Sequence, residues 1–328
     1  MDKSVFVNTL IQKKLILPPL TGYTDYPYRQ ILSEFNPPFM TTEMVNARAV
    51  IHKNKQTLKM LDKVKGNHFS GAQLIGKNPE IMKKAAMIIE ELGFDYIDIN
   101  MGCTVKKVIT KGEGVSLMKN EDLAFEIIQN ISNNVDIPVT VKIRSGYSIK
   151  NRNAVSLSKK LEKAGACAIT VHGRSGEKKF CLNIDYDIIR QTSDAISIPV
   201  IANGGIFSAD DLKNIIEKTN VSAVMPGRGI IGNPWIIPEI LYYFSNRSYN
   251  KPDFEERKSL CIKHVKNSCN YYGDRNGIFK MRKIVHRYFP DTKNLKYLKN
   301  DMQKVTTLKD IKLIIDKIKY VNLSYIYS

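Results

Sequence analysis

Short apolar runs rich in Val and Ile alternate along the chain with longer stretches of helical periodicity. The runs are LILPPL (15–20), PFMTTE (38–43), FSGAQL (69–74), YIDIN (96–100), IPVTVKI (137–143), CAITVHG (167–173), IPVIANG (198–204) and SAVMPG (222–227). Between them PEIMKKAAMIIEELG (79–93), EDLAFEIIQNISNN (121–134), NAVSLSKKLEKAG (153–165) and SADDLKNIIEKT (208–219) carry apolar residues at three- and four-residue spacing. Gly93, Gly165 and Ser208 stand where helices end or begin. Eight strand-and-helix units predict an α/β protein, a (β/α)8 TIM barrel, a fold of about 250 residues. A doubly wound sheet is the alternative.

Polar residues sharpen this reading. Side chains alternate in direction along a strand. If Val139, Val141 and Ile143 face the helices, Thr140 and Lys142 face inward. If Ile169 and Val171 face outward, Thr170 and His172 face inward. The same alternation turns Gln73, Asn100 and Asn203 inward, each near the C-terminal end of its run. Consecutive strands ending in inward polar groups, at the face where barrel enzymes keep their active sites, predict a site there.

From residue 235 the strands stop. WIIPEILYYF, EERKSLCIKHVKNSCNYYG, IFKMRKIVHRYF and LKDIKLIIDKIKYV all show helical spacing. The expected organisation is a barrel over residues 1–244 and a small all-helical domain over 245–328, joined through the polar segment SNRSYNKPD (245–253). Charge separates the two as well. The chain has a formal net charge of +18, and residues 241–328 hold 19 Lys or Arg against 8 Asp or Glu. More than half of the excess lies in the last quarter, which points to a polyanionic partner.

No apolar run reaches the roughly 18 residues of a membrane span, and no secretory leader is read at the N-terminus. The five cysteines, 103, 167, 181, 261 and 269, lack CxxC spacing, so reduced thiols in the cytoplasm and no metal site are expected.

Two glycine loops suggest anion binding. The seventh run ends in Asn203, Gly204 and Gly205, and the eighth is followed by Gly227, Arg228 and Gly229. In barrels these two loops commonly hold a phosphate. GRGIIG (227–232) also spells GxGxxG, but a dinucleotide fingerprint opens the first βα unit, whereas this one closes the eighth. Lys111, Gly112, Glu113 and Gly114 form a second cluster, readable as a flexible loop or as a ligand contact. Cys103, three residues beyond Asn100, falls in a loop on the expected active-site face, where a thiol can act as acid, base or nucleophile.

PPLTGYTDYPYR (18–29), TEMV (42–45), GAQLIG (71–76), DINMGCTVKKVITKGEGVSLM (98–118), VKIRSGY (141–147), VHGRSG (171–176), IANGGI (201–206) and MPGRGIIGNPWII (225–237) together resemble the tRNA-dihydrouridine synthases, in their bacterial branch, over nearly the whole chain. The resemblance implies an FMN-dependent, NADPH-consuming reductase of the uracil C5=C6 bond in tRNA, expected as a monomer. It implies contacts to the flavin from Pro19, Leu20, Thr21, Gln73, Lys142 and His172, and to the flavin phosphate from Asn203, Gly204, Gly205, Gly227 and Arg228. It implies Cys103 as general acid, and Asn100, Arg144 and Arg174 near the uracil and RNA phosphates. Lys280, Arg282, Lys283 and Arg287 would meet the tRNA body. The sequence departs from the family with Thr104 after the cysteine, where proline is usual. Two other readings share the barrel: an FMN oxidoreductase of a small molecule, dihydroorotate dehydrogenase-like, which needs no basic helical domain, and a non-catalytic flavin-containing RNA-binding protein, in which Cys103 is dispensable.

Overall fold

A computed structural model describes residues 1–177, 183–290 and 295–318; Cys181 lies outside them. Seven parallel strands pair in chain order: β1 (Phe39–Asn46), β2 (Phe69–Ile75), β3 (Tyr96–Met101), β4 (Val139–Arg144), β5 (Ala168–His172), β6 (Val200–Asn203) and β7 (Ala223–Met225). The first apolar run supplies no full strand. It contributes two isolated bridges, Leu15 to Val224 of β7 and Leu17 to Met40 of β1, which close the sheet into a barrel. Its pairing stops at Pro18 and Pro19, which have no N–H to offer a neighbour.

The helices expected between strands form at Pro79–Glu91, Glu121–Ser132, Ala154–Lys163 and Ala209–Lys218. Ser208 caps the last of these, its hydroxyl accepting from the Asp211 N–H at 3.3 Å. An unanticipated helix, Lys3–Lys13, closes the N-terminal end of the barrel. Its Phe6 and Leu10 are fully buried with Phe39, Tyr96, Ile201 and Met225. Gly71 makes room for this plug, since a Cβ there would stand 2.1 Å from the Tyr96 ring.

Beyond Ile236–Phe244 the chain is helical: Phe254–Tyr272, Asp274–Met281, Leu295–Lys304 and Leu308–Asp316. The segment 278–289, expected as one helix, is broken: Asp274–Met281 gives way to a 3-10 turn at Val285–Tyr288. The helical region shares a continuous apolar core with the barrel. Tyr28 stacks on His264 at 4.7 Å between ring centres, and its hydroxyl accepts from the Gly232 N–H at 3.0 Å. Trp235 Nε1 donates to Glu256 at 2.7 Å.

Candidate active site at the barrel mouth

The C-terminal ends of the strands surround a cavity of about 440 Å³. Its walls come from residues 18–21, from Asn100, Gly102 and Cys103 after β3, from Lys142 and Arg144 of β4, and from His172 and Arg174 at β5. The two glycine loops, 203–207 and 227–228, complete it. Thus all but one of the residues expected around a flavin and uracil line one cavity. The exception is Gln73, which is fully buried one layer behind Asn100.

That layer is a polarised chain of hydrogen bonds. The Gly102 and Cys103 N–H groups donate to Asn100 Oδ1 at 3.1 and 2.9 Å, which turns the Asn100 amide nitrogen toward Gln73 Oε1 at 2.7 Å. Gln73 Nε2 must then point the other way, and it meets Asp98 Oδ2 at 2.6 Å; Thr140 Oγ1 donates to Asp98 Oδ1 at 2.6 Å. Both ends require the same amide orientations. A carboxylate at the barrel centre therefore fixes the backbone that carries Cys103. Burial raises the Asp98 carboxyl above its ordinary value, against hydrogen bonds from Thr140 and Gln73 and the charge of Lys142.

Two further contacts hold the cysteine loop. Arg144 Nε donates to the Gly102 carbonyl at 2.7 Å and Nη1 to that of Ser175 at 3.1 Å. The Val115 N–H donates to the Cys103 carbonyl at 3.1 Å. Gly114, at φ 62°, packs where a Cβ would come within 2.8 Å of that same carbonyl, so the second glycine cluster supports the loop.

The cavity is strongly positive. Burial pulls His172 well below the ordinary histidine value, and Lys142, Arg144, Arg174 and Arg228 push it the same way, so the ring is neutral at pH 7. Burial lowers Arg144 to about 10, which leaves it charged. Lys142 is also lowered, by burial and then by Arg144, with Asp98 opposing. Among the described residues there is no His, Cys, Asp and Glu cluster fit for a metal, and no helix long and apolar enough to cross a membrane.

Residues 16–321 match the family model described as Dihydrouridine synthase (Dus). The chain belongs to the dihydrouridine synthase family. It is 33% identical to a probable tRNA-dihydrouridine synthase of Rickettsia bellii, covering 92% of this chain and 94% of that protein. It is 35% identical to tRNA-dihydrouridine synthase B of Pseudomonas aeruginosa, covering 85% and 84%. Solved structures of similar fold include histamine dehydrogenase from Rhizobium sp. 4-9, at TM-score 0.52 and 13% identity, covering 78% of this chain and 49% of that one. A second is 6-hydroxypseudooxynicotine amine oxidase from Pseudomonas geniculata N1, at TM-score 0.54 and 10% identity, covering 78% and 50%. The chain spans about half the length of these two proteins, and their likeness extends to the barrel fold alone.

In this dihydrouridine synthase the four basic residues expected on RNA have different surroundings. Lys283 is exposed, with Nζ 4.5 Å from the Tyr23 ring at the first loop. Lys280 stands 3.8 Å from the buried Asp25 carboxylate, which also accepts from Tyr272 Oη at 3.0 Å. Arg287 is exposed and packs against Gly232. Arg282 turns inward, donating through Nε and Nη2 to the Val305 carbonyl at 3.0 and 2.6 Å. Asp98 was not singled out in the sequence, although it precedes Asn100 by two residues and so shares its inward face. Glu43, buried in β1 and accepting from the Gly22 N–H, also went unnoticed within TEMV.

Proposed function

We propose that this dihydrouridine synthase reduces the C5=C6 bond of particular uridines in tRNA to 5,6-dihydrouridine, with FMN held in the barrel mouth and NADPH as reductant. The observation that carries this reading is the placement of Cys103 and Lys142 in one cavity with the two glycine loops. The cavity suits a flavin phosphate: a Cβ at Gly227 would find nothing nearer than Asn203 Nδ2 at 3.9 Å, so the backbone there opens on space. Arg228 adds a cation at the same loop, and residues 18–21, which line the cavity, would offer mainly backbone to the ring.

Bound there, the flavin would supply hydride to C6 of the uracil. Lys142 would hold positive charge beside the electron-rich part of the flavin, with Asn100 beside it, Gln73 behind and His172 as a neutral neighbour. Cys103 Sγ would hold the proton destined for C5. Arg144 would keep the cysteine loop in place, and with Arg174 it would lend charge to the uracil oxygens and flanking phosphates. Because uracil in folded tRNA is stacked or paired, it must swing out to enter the mouth. We assign catalysis to residues 1–244 and tRNA docking to the basic region 245–328, with Lys280, Lys283 and Arg287 as phosphate contacts and Arg282 supporting them from within. The protein would act as a monomer in the cytoplasm.

The test combines absorbance of the purified protein with mass spectrometry of tRNA from cells with and without the gene. A yellow, FMN-containing protein and loss of dihydrouridine at one or a few positions are expected. A colourless protein that FMN cannot reconstitute, or an unchanged tRNA, would overturn the reading.

A further inference from the structure

A second recess, of about 350 Å³, lies beside the mouth cavity and shares Phe207 and Arg228 with it. One side is built by the loops after β6 and β7, the other by the helical region, so the site exists only where the two meet. That volume is at the small end of ligand pockets, which run from about 300 to 1,000 Å³.

Its lining is unlike ordinary surface. Lys251, Arg257, Arg287 and Lys299 join Arg228 around it, against the single carboxylate of Glu239. That carboxylate is turned to the barrel, where Oε1 accepts from the Ala209 N–H at 2.9 Å. Trp235, Tyr249 and the half-exposed Phe207 supply aromatic surface. Two buried polar groups of the wall are left without a hydrogen-bond partner among the described residues, His286 Nδ1 and Arg257 Nε. His286 is 9% exposed and Arg257 7%. A buried donor or acceptor with no partner costs about 1–3 kcal/mol, so each such group calls for a partner, and here both stand in the wall of one recess.

We propose that this recess is a nucleotide-phosphate subsite separate from the one that would hold the flavin phosphate. Cations with aromatic faces are the chemistry that takes a phosphate and its attached base. Burial lowers His286 to about 4, with Arg287 and Lys299 pushing the same way, so the neutral ring has an N–H to give an anion. Two sources share this chemistry: the phosphorylated adenosine end of a dinucleotide reductant, and a nucleotide of the RNA substrate. The wall shared with the mouth cavity puts either within reach of the barrel.

Trp235 is the only tryptophan of the chain and lines the recess, so its emission reports this site directly. The flavin-loaded protein is titrated with inorganic phosphate, then competed with NADPH, NADH and tRNA, while flavin absorbance reports the mouth cavity in the same sample. A saturable emission change is expected, with its Kd raised about tenfold or more in Lys251→Glu/Lys299→Glu, a loss of about 1.4 kcal/mol per tenfold. His286→Leu should weaken phosphate and His286→Gln should restore part of the loss. Displacement by NADPH but not NADH identifies the reductant's extra phosphate as the occupant; displacement by tRNA identifies the RNA. No saturable response, a Kd unchanged in the double variant, or displacement by neither NADPH nor tRNA overturns the proposal. Because the readout is binding, loss of the flavin reading would show as absent flavin absorbance and leave this result interpretable.

Discussion

Lys142 Nζ donates to Asn203 Oδ1 at 2.7 Å, a bond that reaches from β4 across β5 to β6. The amide is fixed in that orientation because its nitrogen donates to the Met225 carbonyl at 2.8 Å. Lys142 is thus aimed by a neutral amide oxygen and not by a carboxylate. Lys142→Gln should keep the barrel folded but slow reduction of bound flavin about 10- to 1,000-fold, as loss of one electrostatic contact does. Rapid-mixing absorbance with NADPH measures this, and an unchanged rate would remove Lys142 from the flavin.

Cys103→Ala should leave flavin binding and its reduction by NADPH intact while cutting dihydrouridine formation by about 100- to 10,000-fold, the range of a lost general acid. Single-turnover assays on tRNA with pre-reduced enzyme separate the two steps. Activity equal to wild type would assign the proton to another donor.

Asp98→Asn puts an amide where two donors, Thr140 Oγ1 and Gln73 Nε2, both need an acceptor. One donor then faces another, at a cost of about 1–3 kcal/mol. The amide chain to Cys103 loses its fixed polarity, so the thiol should also change its rate of alkylation. Urea midpoints and iodoacetamide kinetics follow the two effects, and a variant matching wild type in both would show that the carboxylate does not organise the loop.

Adjacent residues of the helical region should respond in opposite ways. Lys283→Glu should weaken tRNA binding and lessen its salt slope by about one phosphate contact, with stability nearly unchanged. Arg282→Ala leaves the Val305 carbonyl without its partner and should lower stability by about 1–3 kcal/mol. Filter binding across a salt series, paired with thermal melts, distinguishes them. Equal salt slopes for Lys283→Glu and wild type would place the RNA elsewhere.

His264 is completely buried between Tyr28 and Tyr288, and burial drops its pKa from 6.5 to about 3. The unfolded chain therefore binds a proton that the folded chain refuses between those values. Stability contributed by keeping this ring neutral is full above pH 6.5 and falls progressively as the pH drops toward 3. His264→Gln should flatten the decline in melting temperature over that interval; a slope identical to wild type would shift the acid sensitivity to other groups.

Much of the barrel was legible because strand pattern and function coincide at the strand ends: Asn100, Lys142, His172 and Asn203 are inward, polar and terminal, and all reach the cavity. Asp98 is not distinguished by the pattern, because one inward position below a strand end a polar residue reads the same whether it only fills the barrel, like Thr170, or organises the residue above it. The plug helix was missed because apolar residues in SVFVNTLIQ follow no clean face; only Phe6 and Leu10 enter the barrel deeply. Charge could mark the helical region as basic but could not say that Arg282 points in and Lys283 out, since that depends on a helix break at Met281 that apolar spacing concealed.

The two bridges that stand in for an eighth strand give the barrel a seam. Only a few main-chain bonds cross it: Ile16 N–H to the Val224 carbonyl at 3.1 Å, Val224 N–H to that of Lys14 at 2.9 Å, and Leu17 N–H to that of Phe39 at 2.9 Å. The residues that follow, 18–21, are a wall of the mouth cavity. Parting of those few bonds would free a wall of the mouth, and amide exchange at residues 16 and 17 is the gauge of how readily the seam yields.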